Sequence, residues 1–369
     1  VIDTATIAQL IGTVATPDGA TIASGNRLAG VHVSGATVMV ALSIEPAEAG
    51  QFQPVQVEVE RRLKAVPGVE KVFVSLTAER AKGEAAPTTG NATTAPSGPP
   101  PVPGIKRIIA VASGKGGVGK STTAANLALA MLSQGLRVGL LDADIYGPSV
   151  PRLMGVSTKP DLVDGKRLRP VKAHGLEVMS IGFMVEPEAP MIWRGPMIDS
   201  ALTQMLREVA WDNLDLLIVD MPPGTGDAQL TLAQKTPLAG AIIVSTPQDL
   251  ALIDARKGIA MFQKVDVPVL GVIENMSTFL CPTCGARCDI FGHGGAEREA
   301  ARIGVPFLGG IPLHMAIRET ADAGRPSVVA DPTGPHAEAY RAVAARVLAL
   351  LDGPRAPTKA PTRVAFGGG

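Results

Sequence analysis

The stretch GKGGVGKS at residues 114–121 constrains this chain more than any other part of it. It completes the pattern G-x-x-x-x-G-K-[ST], with IKRIIAVA (105–112) before it and TAANLALA (123–130) after it. An apolar, β-branched run, a glycine-rich turn and an Ala/Leu-rich run read as strand, loop and helix, the context that the pattern requires. Glycines let such a loop curl until its backbone N–H groups face one point, and the helix N-terminus adds partial positive charge there. The loop is suited to the β- and γ-phosphates of a nucleotide. Gly114, Lys115, Gly116, Gly117, Val118, Gly119, Lys120, Ser121 and Thr122 therefore form a predicted ATP cradle. Lys120 brings a point charge to the phosphates, and the Ser121 hydroxyl is a ligand for Mg²⁺.

The remaining sequence supplies the sheet that such a unit needs. Strand-like runs at 106–112, 137–142, 177–181, 214–220, 239–245, 268–275 and 306–311 are interspersed with helical stretches at 119–134, 248–263 and 334–351. This spacing predicts an α/β domain over 105–353, a mostly parallel sheet with helices on both faces. Residues 1–82 predict a small α+β domain: an alternating run GATVMVALSI (35–44), a helix over 54–65 and a strand over 68–77. That domain has no Cys, and His32 is its one histidine, so no chemistry is expected in it. Between the two, GEAAPTTGNATTAPSGPPPVPG (83–104) cannot offset its ordering entropy by burial and reads as a flexible linker. Residues 354–369, rich in Pro, Lys, Arg and Gly, read as a disordered tail.

Lys+Arg and Asp+Glu are both 34, and aromatics are 3%, which argues against a dedicated nucleic-acid surface. No run approaches the roughly 20 apolar residues of a membrane span. Three Cys are too few for a disulfide framework, and reduced thiols suit a cytoplasmic protein without membrane or nucleic-acid partners.

Two further acidic motifs end predicted strands: LLDAD (140–144) and LLIVDMPPGTGD (216–227). Ligands of parallel α/β sheets sit at the carboxyl ends of strands, so Asp142, Asp144 and Asp220 are expected to converge on the phosphate loop. Asp220, after an apolar run, resembles the Walker B acid that holds Mg²⁺ through water, and Gly224 and Gly226 let the second acidic loop move. All three Cys lie in CPTCGARC (281–288). Cys281 and Cys284 point two thiolates at one place, whereas a tetrahedral zinc site or a cuboidal cluster generally takes four ligands. A twofold dimer sharing an iron–sulfur cluster is the simple solution. Zinc completed by Cys288 or His293, a redox dithiol and inert thiols are the alternatives.

The string KGGVGKST (115–122) resembles the signature of the MinD/ParA/nitrogenase-iron-protein class of ATPases. That resemblance implies that Lys115 crosses a dimer interface to the partner's nucleotide, that Asp144 positions the attacking water, and that Asn275 reads the adenine edge. Taken with LLDADIYGPSVPRLMG, IWRGPM, DLLIVDMPPGTGDAQLTLAQ, VIENMS and CPTCG…IFGHGG, residues 105–350 resemble the Mrp/ApbC iron–sulfur cluster carrier ATPases. The segments GATVMVALSI and PGVEKVFVSLTAER are similar to a small metal–sulfur cluster assembly domain, although TPDGATI replaces an acidic motif usual there. The resemblance implies a homodimer that hydrolyses ATP. It would carry a 4Fe–4S cluster on Cys281 and Cys284, and its partners would be a cluster-assembly scaffold and apo iron–sulfur proteins. The competing expectations are a MinD- or ParA-like positioning ATPase and an electron-donating iron protein.

Overall fold

A computed structural model describes residues 4–34, 37–44, 48–69, 71–78, 99–185, 195–281 and 283–353. The tail expected over 354–369, most of the linker expected over 83–104 and residues 192–194 of IWRGPM lie outside the described residues. The chain divides into two compact units, one made of 1–98 with 159–169 and 180–209, the other of 99–158, 170–179 and 210–369.

The first unit contains a three-stranded sheet, Leu28–Ser34 antiparallel to Thr37–Ile44 and Thr37–Ile44 parallel to Lys71–Ala78. Helices Thr4–Gly12 and Ala49–Lys64 contribute Ile7, Ile11, Phe52, Val59 and Leu63 to a core shared with Val38, Val40 and Leu42. The second helix begins five residues before the expected Pro54. Glu48, the residue before it, is fixed by an ion pair with Arg27 at 2.9 Å, so the chain turns into the helix there. The sequence reading missed helix Thr4–Gly12 and strand Leu28–Ser34. In LAGVHVS the small residues dilute the alternation that marks a half-buried strand.

While residues 159–169 and 180–209, inside the expected 105–353 domain, group with the first unit, the second unit has the α/β layer structure expected for the fold. Its strands and helices include β1 (Ile108–Ala112), α1 (Lys120–Leu132), β2 (Val138–Asp142), β3 (Val171–Ala173), β4 (Leu176–Ser180) and β5 (Leu216–Asp220). They continue with α2 (Asp227–Lys235), β6 (Leu238–Ser245), α3 (Asp249–Lys264), β7 (Val269–Leu280), β8 (Arg287–Cys288), α4 (Gly295–Ile303), β9 (Phe307–Leu313) and α5 (Pro335–Asp352). The nine-stranded sheet runs β8-β7-β6-β1-β5-β2-β4-β3, with β9 also paired to β7. β1 is parallel to both β5 and β6, and β5 is parallel to β2. These central strands, IIAVA, VGLLD and LLIVD, are buried throughout, as uninterrupted apolar runs must be when both faces are covered.

Helix α1 is buried from Thr123 to Met131, which explains its small side chains. Asn126 fixes its outer side by donating to the Thr122 carbonyl and accepting the Val328 N–H. Strand β7 outruns its expected end at residue 275 and continues to Leu280. Beyond a register shift its pairing resumes, helped by the Ser277 hydroxyl donating to the Ile311 carbonyl at 3.1 Å.

Candidate functional site

The phosphate loop leaves β1 at Ser113 and re-enters regular structure at Lys120, the first residue of α1. Gly117 and Gly119 have φ of 81° and 79°, values that a side chain resists, and they turn the loop back over the helix end. A Cβ at Gly119 would collide with the Asn275 amide, and a Cβ at Gly114 with the Asp254 backbone carbonyl in α3. Sequence reasoning gave both glycines a conformational role. At Gly114 the requirement is the close approach of a helix, which no local pattern signals. Around Gly116 and Gly117 the space is open, as a phosphate cradle requires.

Lys120 is buried, and its Nζ donates to Asp220 Oδ1 at 2.5 Å and to Ser121 Oγ at 3.2 Å. Asp220 ends β5 beside β1 and β2, fully buried. Burial pushes its carboxyl above the usual carboxylate range, with the Lys120 ammonium opposing. Its second oxygen, Oδ2, is buried with no hydrogen-bond partner among the described residues. An orphaned carboxylate oxygen beside a P-loop hydroxyl is a donor set suited to a hard divalent cation, so Asp220 and Ser121 fit Mg²⁺.

Asp144 is half-buried after β2 and feels both Lys120 and Asp220. Burial and the Asp220 charge raise its pKa, while Lys120 opposes. Asp142, fully buried at the end of β2, is engaged by the backbone of the following loop. Its Oδ1 accepts the Asp144 N–H and its Oδ2 the Val150 N–H, both at 3.1 Å, so it anchors the loop that carries Asp144. Gly224, with φ of 96°, donates its N–H to the Ser113 carbonyl and ties the second acidic loop to the P-loop. Lys115 is half-buried and has no ion-pair partner among the described residues.

Strand β7 connects this site to the cysteines. Asn275 Nδ2 donates to the Val118 carbonyl at 2.8 Å. Five residues after Asn275 the strand ends, and Cys281 begins a tight turn. Gly285 N–H donates to the Cys281 carbonyl at 2.8 Å, and Cys281 N–H to the Ala286 carbonyl at 2.9 Å. Backbone N–H groups of Cys284 and Thr283 aim at the Cys281 sulfur and lower its pKa, favouring thiolate. Cys284 and Cys288 are exposed free thiols. Arg287 donates to His293 Nδ1 at 2.8 Å, which occupies that nitrogen. Among the described residues no three His, Cys, Asp or Glu side chains form a metal-binding group.

Residues 104–348 match the family described as NUBPL iron-transfer P-loop NTPase. The chain belongs to that family. Residues 4–76 match a second family, described as iron-sulfur cluster assembly protein. An iron-sulfur cluster carrier protein of Pseudomonas fragi is 56% identical over 247 residues, covering 66% of this chain and 86% of that one. One from Synechocystis is 45% identical over 327 residues, 87% of this chain and 90% of the relative. A nucleotide-binding protein from Archaeoglobus fulgidus in complex with ADP superposes with a TM-score of 0.55 at 41% identity, covering 64% of this chain and 91% of that structure. Like other members of a P-loop NTPase family, this chain has a nucleotide loop backed by parallel strands. No helix among its described residues is long and apolar enough to cross a membrane.

Lys120, Ser121, Asp144 and Asp220, chosen from the sequence, thus meet at one end of the sheet. Glu274 was missed. It is buried on β7 and accepts two backbone N–H groups, from Gly294 and Ala296. A glutamate inside an apolar strand was the available signal.

Proposed function

We propose that this protein is an ATP-dependent iron–sulfur cluster carrier that works as a homodimer in the cytoplasm. In this reading residues 1–82 are an assembly-type module and residues 105–353 the ATPase, joined by a flexible linker. The family matches to residues 4–76 and 104–348 support that division. The observation that carries the reading is that Cys281 directly follows the strand whose Asn275 holds the P-loop, so one strand serves both nucleotide and thiolates.

The cargo is a 4Fe–4S cluster held by Cys281 and Cys284 of two chains, received from an assembly scaffold and delivered to apoproteins. Two ligands per chain and four per cluster support the dimer. Gly114 to Thr122 cradle the phosphates of ATP, Lys120 neutralises them, and Asn275 meets the adenine edge. Ser121 and Asp220 would hold Mg²⁺, which neutralises charge on the phosphate oxygens. Asp144 orients the attacking water, and Lys115 stabilises γ-phosphate charge across the interface. Hydrolysis then remodels the dimer through the loops bearing Asp144 and Gly224, so ATP controls cluster release.

The test is cluster transfer to an apo 4Fe–4S acceptor by wild type and Lys120→Ala, each with MgATP. Transfer accelerated by ATP in wild type only is expected. Equal rates for the two proteins would remove ATP from the transfer step.

A further inference from the structure

Two neighbouring residues of β7 hold the two halves of the site. Asn275 Nδ2 donates to the Val118 carbonyl of the P-loop at 2.8 Å. Successive strand residues point to opposite faces, and from the other face Glu274 accepts the Gly294 N–H at 3.2 Å and the Ala296 N–H at 2.8 Å. Those two amides open α4, the helix that follows the excursion bearing Cys281, Cys284 and Cys288. The excursion therefore leaves β7 at Leu280 and returns to it at Glu274. Between these points Phe279 and Leu280 pair with Cys288 and Arg287, so the hairpin grows directly from the strand.

Glu274 is 1% exposed, and its oxygens receive amides at a helix N-terminus, an arrangement that makes charge-assisted hydrogen bonds and complements the helix dipole. A hairpin tip needs no buried acid merely to be a turn. The anionic clamp fixes where the return leg sits relative to the strand.

The residue after Asn275 is the weak point of the strut. Met276 has φ of 58°, a conformation that side chains rarely adopt, and the β7–β9 register shifts between Asn275 and Phe279. Strained non-glycine residues persist where surrounding contacts over-determine them. Here the contacts are the P-loop on one side and the β9 carbonyl of Ile311 on the other.

We infer that Glu274 is a positioning residue for Cys281 and Cys284, and that the step Glu274–Asn275–Met276 transmits occupancy of the P-loop to those thiolates. The inference rests on the carrier reading above. Phosphates entering the loop reset the Val118 carbonyl, and the Asn275 amide follows it. The backbone yields at Met276, and the displacement reaches the Gly294 and Ala296 amides through Glu274, altering the spacing of the thiolate excursion. This route reports a filled loop, whereas the Gly224 loop reports loss of the γ-phosphate.

The experiment uses the full chain loaded anaerobically with iron and sulfide. The rate at which a ferrous chelator strips its iron is recorded with and without MgATP, alongside the visible circular dichroism of the cluster and the Kd for ATP. Wild type is expected to change its stripping rate with ATP by about fivefold or more, the lower end of ordinary coupling between sites. Glu274→Gln keeps the shape and one acceptor oxygen, but turns its NH2 toward one of the two backbone N–H groups and removes the charge. Met276→Gly keeps the fold and relaxes the strained φ. Both are expected to load iron and bind ATP as wild type does, while the ATP effect falls below about twofold and the ATP-induced dichroism change disappears.

An undiminished ATP effect in both variants would overturn the inference and leave the carrier reading intact. A wild type that holds a cluster but shows no ATP effect would overturn both the inference and the ATP-coupled part of that reading. If Glu274→Gln lowers iron content equally with and without ATP, its role is structural, and the inference fails unless Met276→Gly uncouples. If Glu274→Gln does not fold, Met276→Gly decides the matter alone.

Discussion

The Lys120 ammonium lies 2.5 Å from the Asp220 carboxylate, 100 residues further along the chain, and both are buried. The pair explains how a charged phosphate site is stable before nucleotide arrives. In the proposed reading, incoming phosphates would compete for Lys120, leaving Asp220, whose Oδ2 has no hydrogen-bond partner among the described residues, available to hold the cation.

Removing Lys120 leaves that buried carboxylate without its partner. Lys120→Ala is expected to lose ATP binding and to cost about 3–5 kcal/mol of stability, the usual effect of breaking a buried pair. Asp220→Asn removes the charge itself and is expected to be less destabilising while still blocking hydrolysis. Urea unfolding midpoints and ATP titration calorimetry on the two variants check the order.

Asp144 gives a pH prediction. Burial raises its folded pKa above the usual aspartate range, so the folded state holds its proton to higher pH than the unfolded chain does. Any stability from this group is therefore present below the unfolded value and is lost as pH rises through the raised one. Asp144→Asn is expected to raise Tm at neutral pH and to slow hydrolysis by about a hundredfold, the scale of a lost positioning group. In wild type the acidic limb of the ATPase profile is expected above the ordinary Asp range and absent in the variant. Paired thermal scans and pH–rate profiles test this.

The P-loop glycines differ in why they must be glycine. Gly114→Ala drives a Cβ into the backbone of Asp254, which a helix cannot yield cheaply. A loss of about 1–3 kcal/mol is expected, as for other overpacked sites. Gly116→Ala meets no neighbouring atom within 4 Å, so it is expected to spare stability and weaken ATP binding instead. Calorimetry and nucleotide titration on the pair separate the two effects.

The thiols are expected to divide two and one. Cys281→Ala and Cys284→Ala should each abolish cluster loading with ATP binding unchanged, while Cys288→Ala, at an exposed edge of β8, should load normally. Iron assays on the three proteins settle whether Cys288 is a ligand.

Much of the site was legible because its signals are local. A complete P-loop announces its strand and helix, and Asp144 and Asp220 follow short apolar runs of the kind that buried parallel strands produce. The pairing of Lys120 with Asp220 was implied by topology, since β1 and β5 are neighbours. The Asp254 contact to Gly114, the structural use of Asp142 and the clamp made by Glu274 depend on what tertiary packing brings near, and residue spacing does not encode that. Strand Leu28–Ser34 was lost for a different reason: Ala29 and Gly30 break its apolar alternation, and pairing with Thr37–Ile44 restores what propensity lacks.

The central claim is that two chains share one cluster through Cys281 and Cys284. Its most direct test is iron content measured together with mass by light scattering on anaerobically reconstituted protein, with Cys281→Ala in parallel. The predicted result is a dimer carrying about four irons, the complement of one cuboidal cluster, with the iron lost in the variant. A monomer that binds iron or zinc equally well with and without Cys281 would contradict it.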